Sequence, residues 1–307
     1  MGIVGDRMTT ALPAPTGHRV GRRSGAGPLA RLTGPWLLLA PAAALLVVFF
    51  GYPLFEVLKR SVTEPEFGLA NYRAFFADPV GIRVLVRTVT TAGVVTAVTL
   101  LLGYPYAYLM SSVGRRARML MLTVALLPFW TSLMVRTYAW IILLQDNGVV
   151  NDALGVIGLG PYRLIGNASG VTIGMTQILL PFMVLPLYAT MQGIDRRLLQ
   201  AAEIMGAPPW RAFLRVFVPL SLPGVVAGSM LVFILALGFY VTPALLGSPR
   251  NSLLSQLIAV HVSKLLDFGG GGTMAAVLLV VVLLLLAGMS RVVKPSAAYG
   301  PITGEER

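Results

Sequence analysis

Arg136 stands in the apolar run Val135-Arg136-Thr137-Tyr138-Ala139-Trp140. A guanidinium is always charged and presents five donors in a planar fork that matches an oxyanion. In hydrocarbon such a group costs several kcal/mol unless it is paired or wet. Three roles fit it: lining a solute path, locking a pair of helices, or snorkelling to an interface roughly 12 Å away. Trp130, Tyr138, Trp140, Phe239 and Tyr240 supply aromatic faces in the same kind of setting. Such faces could hold an amine by cation–π attraction, although aromatic side chains also collect at membrane interfaces without any ligand. An arginine repels a cation directly, which sets its own role apart from theirs.

Other chemistries lack their residues. There is no cysteine, and His18 and His261 lie far apart, so neither a thiolate nor a histidine metal site is expected. No G-x-S-x-G elbow, H-E-x-x-H pair or Walker-type G-x-x-x-x-G-K-[ST] occurs. Intramembrane hydrolysis is therefore disfavoured, and any ATP hydrolysis must take place on another polypeptide. Ion-coupled secondary transport, the competing reading, usually needs buried ionisable groups. The apolar runs hold almost no carboxylate apart from Glu56, with Asp146, Asp152 and Asp267 placed outside them.

The elements that must position these residues follow from composition. Of 307 residues 56% are hydrophobic and only 12% charged, with a mean hydropathy of +0.79. Soluble domains carry about 25% charged residues, so the solvent implied here is lipid. A helix needs about 20 apolar residues to cross the hydrocarbon. About six stretches qualify: Trp36–Leu58, Thr88–Met110, Met119–Leu144, Val171–Ala189, Gly224–Leu245 and Thr273–Val293. Pro181 and Pro186 interrupt the fourth, which neighbouring helices can tolerate. The first has a lead and an apolar run too long for a signal peptide and reads as a retained helix.

A net charge of +12 would suggest nucleic acid in a soluble protein. Here it reads as basic cytoplasmic loops facing anionic membrane lipid, with no nucleic-acid partner expected. The short second loop carries Arg115, Arg116 and Arg118 and no acid, which places both termini in the cytoplasm. Residues 1–34 read as a disordered cytoplasmic tail, 35–294 as the transmembrane domain, and 295–307 as a second tail.

The loop 192–223 is too long for a simple connection. Asp195 can cap a helix whose Leu198, Leu199, Ala202 and Met205 share one face. Gly206 suits a positive-φ stop, and Pro208-Pro209 bars continuation while opening a second helix. A ten-residue helix is marginal alone, so it must dock. The segment is either a connector lying on the bilayer or a docking element. Gly170/Gly174 and Gly224/Gly228 suit either close helix contacts or helix starts. Gly269–Gly272 reads as an outer turn, and Asn71–Phe76 as a short outer helix.

Gln200-Ala201-Ala202-Glu203-Ile204-Met205-Gly206, followed by Val216-Phe217-Val218-Pro219, resembles the Glu-Ala-Ala…Gly…Ile-x-Leu-Pro signature. That signature marks permease subunits of binding-protein-dependent ABC importers. Leu127–Ser132, Val135–Trp140, Asn147–Asn151, Leu185–Tyr188 and Phe239–Gly247 resemble the spermidine/putrescine-type branch. The resemblance implies an all-α integral membrane protein with the type I ABC importer permease (MetI-like) fold. It implies that Gln200, Ala201, Ala202, Glu203, Gly206, Ala207, Trp210 and Arg211 form a coupling helix and turn. These would fit a cleft of the ATPase, present in two copies, where ATP and Mg are consumed. It further implies a second homologous permease, an extracytoplasmic substrate-binding protein, the bacterial inner membrane, and a polyamine or related small amine as solute. Gln200 stands where the signature has Glu, and Val218 where it has Leu, so a salt bridge expected of that Glu is not carried over.

Overall fold

The computed structural model describes residues 35–292, and the tails predicted for 1–34 and 295–307 lie outside them. The chain divides into two units, residues 1–53 and 54–307. In the first, α1 (Pro35–Leu46) runs into a π-helical turn, Val47–Gly51. α2 (Tyr52–Thr63) begins at the end of this unit and lies mostly in the second, and Ala40–Thr63 is long and apolar enough to cross a membrane.

In the second unit α3 (Ala70–Ala77) is the short helix expected around Asn71–Phe76. Its Phe75 is buried, and the Tyr72 hydroxyl lies 2.9 Å from Ser61 Oγ. α4 (Pro79–Ser112) starts where Asp78 accepts from the amides of Val80 and Gly81 at 2.9 and 3.1 Å, with Pro79 at the first position. Both features satisfy or spare amides that a helix start leaves unpaired. The helix is longer than the predicted Thr88–Met110 because this cap lies well before the apolar run. Val84, Thr88, Ala92, Val95, Thr99, Gly103, Ala107 and Met110 form its buried stripe, at the alternating three- and four-residue spacing of one helix face.

The predicted third span is broken. α5 (Arg115–Leu126) continues as a 3-10 turn, Leu127–Trp130, before α6 (Leu133–Leu143) leaves at 99°. Pro128 sits in the 3-10 turn, and Thr131 and Ser132 are extended, so no helical hydrogen-bond ladder crosses the corner. If this bent pair counts as one span, the described residues hold six candidate spans.

After α7 (Val149–Val156), α8 (Ala168–Gln192) runs unbroken through Pro181 and Pro186. α8 packs against α4 and against α11 (Val218–Leu237). Met175, Leu179, Met183 and Leu187 of α8 meet Ala92, Val95 and Ala107 of α4 and Val232 and Ala236 of α11 in the main core. In lipid, helix association rests on close packing rather than on expelling water. Gly224 and Gly228 supply it: a Cβ at Gly228 would stand 3.1 Å from Met183 O, and one at Gly224 3.0 Å from Pro186 O. Gly170 instead sits at a helix start under the Leu164 carbonyl, whereas Gly174 faces Thr242 and Leu246.

Two boundaries differ from expectation at the fifth span. The helix is continuous over Pro209–Leu237, through α10 (Pro209–Ala212), a π-helical turn at Phe213–Phe217, and α11. It ends at Gly238, and the expected last turns form a separate helix, α12 (Val241–Leu246). A 3-10 turn (Pro249–Asn251), α13 (Leu254–Val260) and a π-helical turn (His261–Leu265) lead to α14 (Phe268–Val292). Gly269–Gly272 are helical residues of α14, not a turn. Their missing side chains admit the Glu64 and Val57 carbonyls of α2 and its C-terminal end.

Candidate functional site

The loop 192–223 assembles as its residue types require. Asp195 Oδ1 accepts from the Arg197 amide at 2.9 Å and opens α9 (Arg197–Ile204). Gly206 has φ +88°, a region costly for any residue with a Cβ. Gly206 N–H donates to Glu203 O at 2.9 Å, and Ala207 N–H to Ala202 O at 3.0 Å. This pair of bonds is the Schellman stop, which satisfies carbonyls a helix end leaves orphaned. Pro209 then takes the first position of α10.

The apolar face divides differently from the prediction. Leu199 and Ala202 turn towards the bundle, whereas Leu198 (48% exposed), Ile204 (86%), Met205 (82%) and Trp210 (59%) face outward. Helical spacing groups Leu198 and Met205 with Leu199, but only the tertiary contacts decide which side is covered. Gln200, Ala201, Glu203, Gly206 and Arg211 are also exposed, while Ala207 is half-buried. Arg211 stacks on Trp210, 5.0 Å from the ring centre. An open concavity of about 330 Å³ lies between α9 and α10, lined by Ala202, Met205, Arg211 and Arg215 among others.

The inner side of the loop is fixed by two arginines expected only as topogenic charge, by Phe213 and Phe217, expected as apolar contacts, and by Tyr104 and Tyr108, which the sequence did not mark out. Arg196 donates to Ser111 O at 2.9 Å and to Ser112 Oγ at 2.7 Å; Arg118 donates to Met110 O and Val113 O at 3.3 and 3.2 Å. Two arginines thus close the carbonyl end of α4, where a positive charge also complements the helix dipole. Phe213 and Phe217 stack at 5.5 Å and meet Tyr108 edge-on at 5.2 and 5.1 Å. Tyr104 adds a hydroxyl contact to Ser221 Oγ at 2.9 Å. The signal for these was present as aromatics three and four residues apart on two helices.

In the membrane region the predicted residues do not form one cluster. Arg136 and Phe239 share a cavity of about 230 Å³ with Phe129, Leu133, Pro181 and Phe182. The Arg136 Nε is buried without a hydrogen-bond partner. Trp140 is half-buried, its indole N–H donating to Gln177 Oε1 at 3.4 Å. Trp130 and Tyr138 are exposed, and Tyr240 lines a different cavity of about 390 Å³ with Ser248, Ser252, Gln256 and Lys264. Nearby, His261 Nδ1 and Asp267 Oδ2 lie 2.9 Å apart, and Asp267 Oδ1 accepts from the Gly270 amide at 2.8 Å. The Gly270 amide, helped by His261 and against partial burial, holds the Asp267 carboxyl below the usual range.

Comparison with known proteins adds identity to this geometry. The family model for the binding-protein-dependent transport system inner membrane component matches residues 35–298. The spermidine/putrescine transport system permease protein PotB of Escherichia coli (strain K12) is 35% identical over 210 residues, covering 68% of this chain and 76% of that protein. The inner membrane ABC transporter permease protein YdcU of the same organism is 34% identical over 242 residues, covering 73% and 77%. Among solved structures, a bacterial ABC transporter that imports the acidic polysaccharide alginate superposes with a TM-score of 0.67 at 20% identity. That match covers 87% of this chain and 99% of the other, a likeness of fold. The same transporter is known in complex with a periplasmic protein carrying an alginate pentasaccharide.

Proposed function

The chain belongs to the inner membrane components of binding-protein-dependent ABC importers, and from that premise we propose that it carries polyamines or related small amines and couples to a separate ATPase through the loop 192–223. The solute follows from the PotB relatives, which are spermidine/putrescine transport system permeases. One observation carries the coupling role. The loop is clamped to α4 on its inner side yet leaves Leu198, Ile204, Met205 and Trp210 uncovered on the other. A surface helix does not normally expose such a group unless something seats on it.

On this reading Gln200, Ala201, Glu203, Gly206, Trp210 and Arg211 meet the ATPase, and Ala202 and Ala207 hold the turn from behind. Two ATPase copies hydrolyse Mg-bound ATP and move the paired loops, and this chain and a second, homologous permease alternate access between them. An extracytoplasmic binding protein delivers the solute, and both chain termini lie in the cytoplasm. The solute path runs by Arg136 and Phe239, with Trp140 behind them and Trp130, Tyr138 and Tyr240 on flanking surfaces.

The test is uptake of radiolabelled putrescine and spermidine into proteoliposomes holding the full complex, with ATP inside and binding protein outside. ATP-dependent accumulation that Gly206→Val abolishes is expected. Accumulation without ATP would overturn the coupling role, and ATP-driven transport blind to both amines would overturn the solute.

A further inference from the structure

Arg136 is a cation whose counter-charge no described residue supplies. Its Nε is buried and unpartnered, and the cavity it faces is otherwise lined by apolar side chains. The ion pairs among the described residues join Glu56 to Lys59 and Arg60, Glu64 to Arg60, and Asp267 to His261. None reaches Arg136. The remaining described carboxylates, Glu66, Asp78, Asp146, Asp152, Asp195 and Glu203, all lie outside the candidate spans and the bent pair.

The surroundings narrow the choice of partner. Phe129 meets Phe182 edge-on at 5.2 Å beside the guanidinium, and Phe239 lines the same cavity. Elsewhere on the 3-10 turn and α6, Trp130, Met134, Val135 and Tyr138 are exposed. That face suits lipid tails or another membrane helix equally, but lipid tails bring no counter-charge. A cationic solute is repelled by the same guanidinium. What completes the site is a carboxylate on a chain that packs here, accepting from the guanidinium fork.

We infer that Arg136 receives a carboxylate side chain of the second permease subunit, and that this ion pair selects and orients that partner. The inference rests on the proposed pairing of two homologous permeases. Its effect on transport is indirect: with Arg136 neutralised, the path beside it no longer repels an amine.

The test uses tagged full-length chain, purified with its complex from native membranes in mild detergent. Arg136→Glu is expected to lower recovery of the second permease at least tenfold, Arg136→Gln several-fold, and Arg136→Lys least. The amount of chain in the membrane serves as a folding control. Selection for restored amine uptake in Arg136→Glu is expected to yield Asp or Glu to Lys or Arg changes in the second permease. Arg136→Gln with normal partner recovery and normal uptake overturns the ion pair. So do suppressors confined to the binding protein with an altered solute preference, because Arg136 would then meet the solute. If the unmodified chain brings down an ATPase and no second permease, the pairing itself fails.

Discussion

The loop 192–223 and the cavity beside α6 are built on opposite plans. In the loop the helix ends are satisfied from within: Asp195 serves the start of α9, the Gly206 stop serves its end, and Arg118 and Arg196 serve the end of α4. Its unfinished face is apolar. In the cavity the walls are apolar and closely packed, and the unfinished group is a charge, Arg136. An apolar face left open tolerates water and can bind and release. A half-buried charge left open among apolar walls is costly in every state that leaves it so. The contrast separates a contact suited to repeated rearrangement from one suited to permanent assembly.

Substitutions can break that contrast. Gly206→Val has the largest expected effect. A φ of +88° costs a β-branched residue about 1–3 kcal/mol, and the new backbone misdirects everything after it. ATP-dependent uptake should fall by about tenfold or more at unchanged expression, read in proteoliposomes. Next comes Ile204→Asp, which alters only the open face. The permease should keep its thermal stability in detergent while binding to the ATPase, measured by pull-down, weakens by about 1–3 kcal/mol, the range of an interface anchor. Unchanged binding would mean that the exposed apolar group is not the contact.

Gly228→Val should do the reverse, lowering stability by about 1–3 kcal/mol through overpacking against Met183, whether or not the ATPase is present. Tyr104→Phe removes one hydroxyl and leaves Ser221 its bond to Val218 O. A loss of about 0.5–1.5 kcal/mol is expected, and in the reconstituted complex ATP hydrolysis should run partly free of transport.

The smallest effect is at the outer side. The folded carboxyl of Asp267 titrates below its ordinary value. Its contribution is therefore complete above the ordinary carboxylate pKa of about 4 and is lost as pH falls through the lower folded value. Thermal stability in detergent should show a slight acid-side decline below about pH 4 that Asp267→Asn removes, small because the side chain is partly exposed.

Much of the fold was legible because lipid makes one demand of a spanning segment, and five of six stretches answer it with a single helix. The third does not, and proline could not announce that. Pro181 and Pro186 remain inside a straight run of helix, whereas Pro128 precedes a corner. The difference lies at Thr131 and Ser132, two residues whose extended backbone no hydropathy plot weighs. In the loop the helix ends were legible, since Asp195, Gly206 and Pro209 act on their own neighbours. Which of Leu198, Leu199 and Met205 would be covered was not, because that depends on α4 arriving from far along the chain. The clamping arginines were visible only as positive charges, and their role appeared once the end of α4 lay beside them.

The π-helical turn at Phe213–Phe217 has a geometric consequence for the helix that contains it. One surplus residue in a helix turns everything beyond it by about 100° for about 1.5 Å of length. The helix that begins under Trp210 and ends at Leu237 therefore has two phases, one on each side of the surplus. Gly224 and Gly228 can stay locked on α8 while Trp210 and Arg211 point in a direction that an uninterrupted helix would forbid. The turn works as a gear between two faces of one rod, and its offset sets the angle at which the rod presents its Trp210 end.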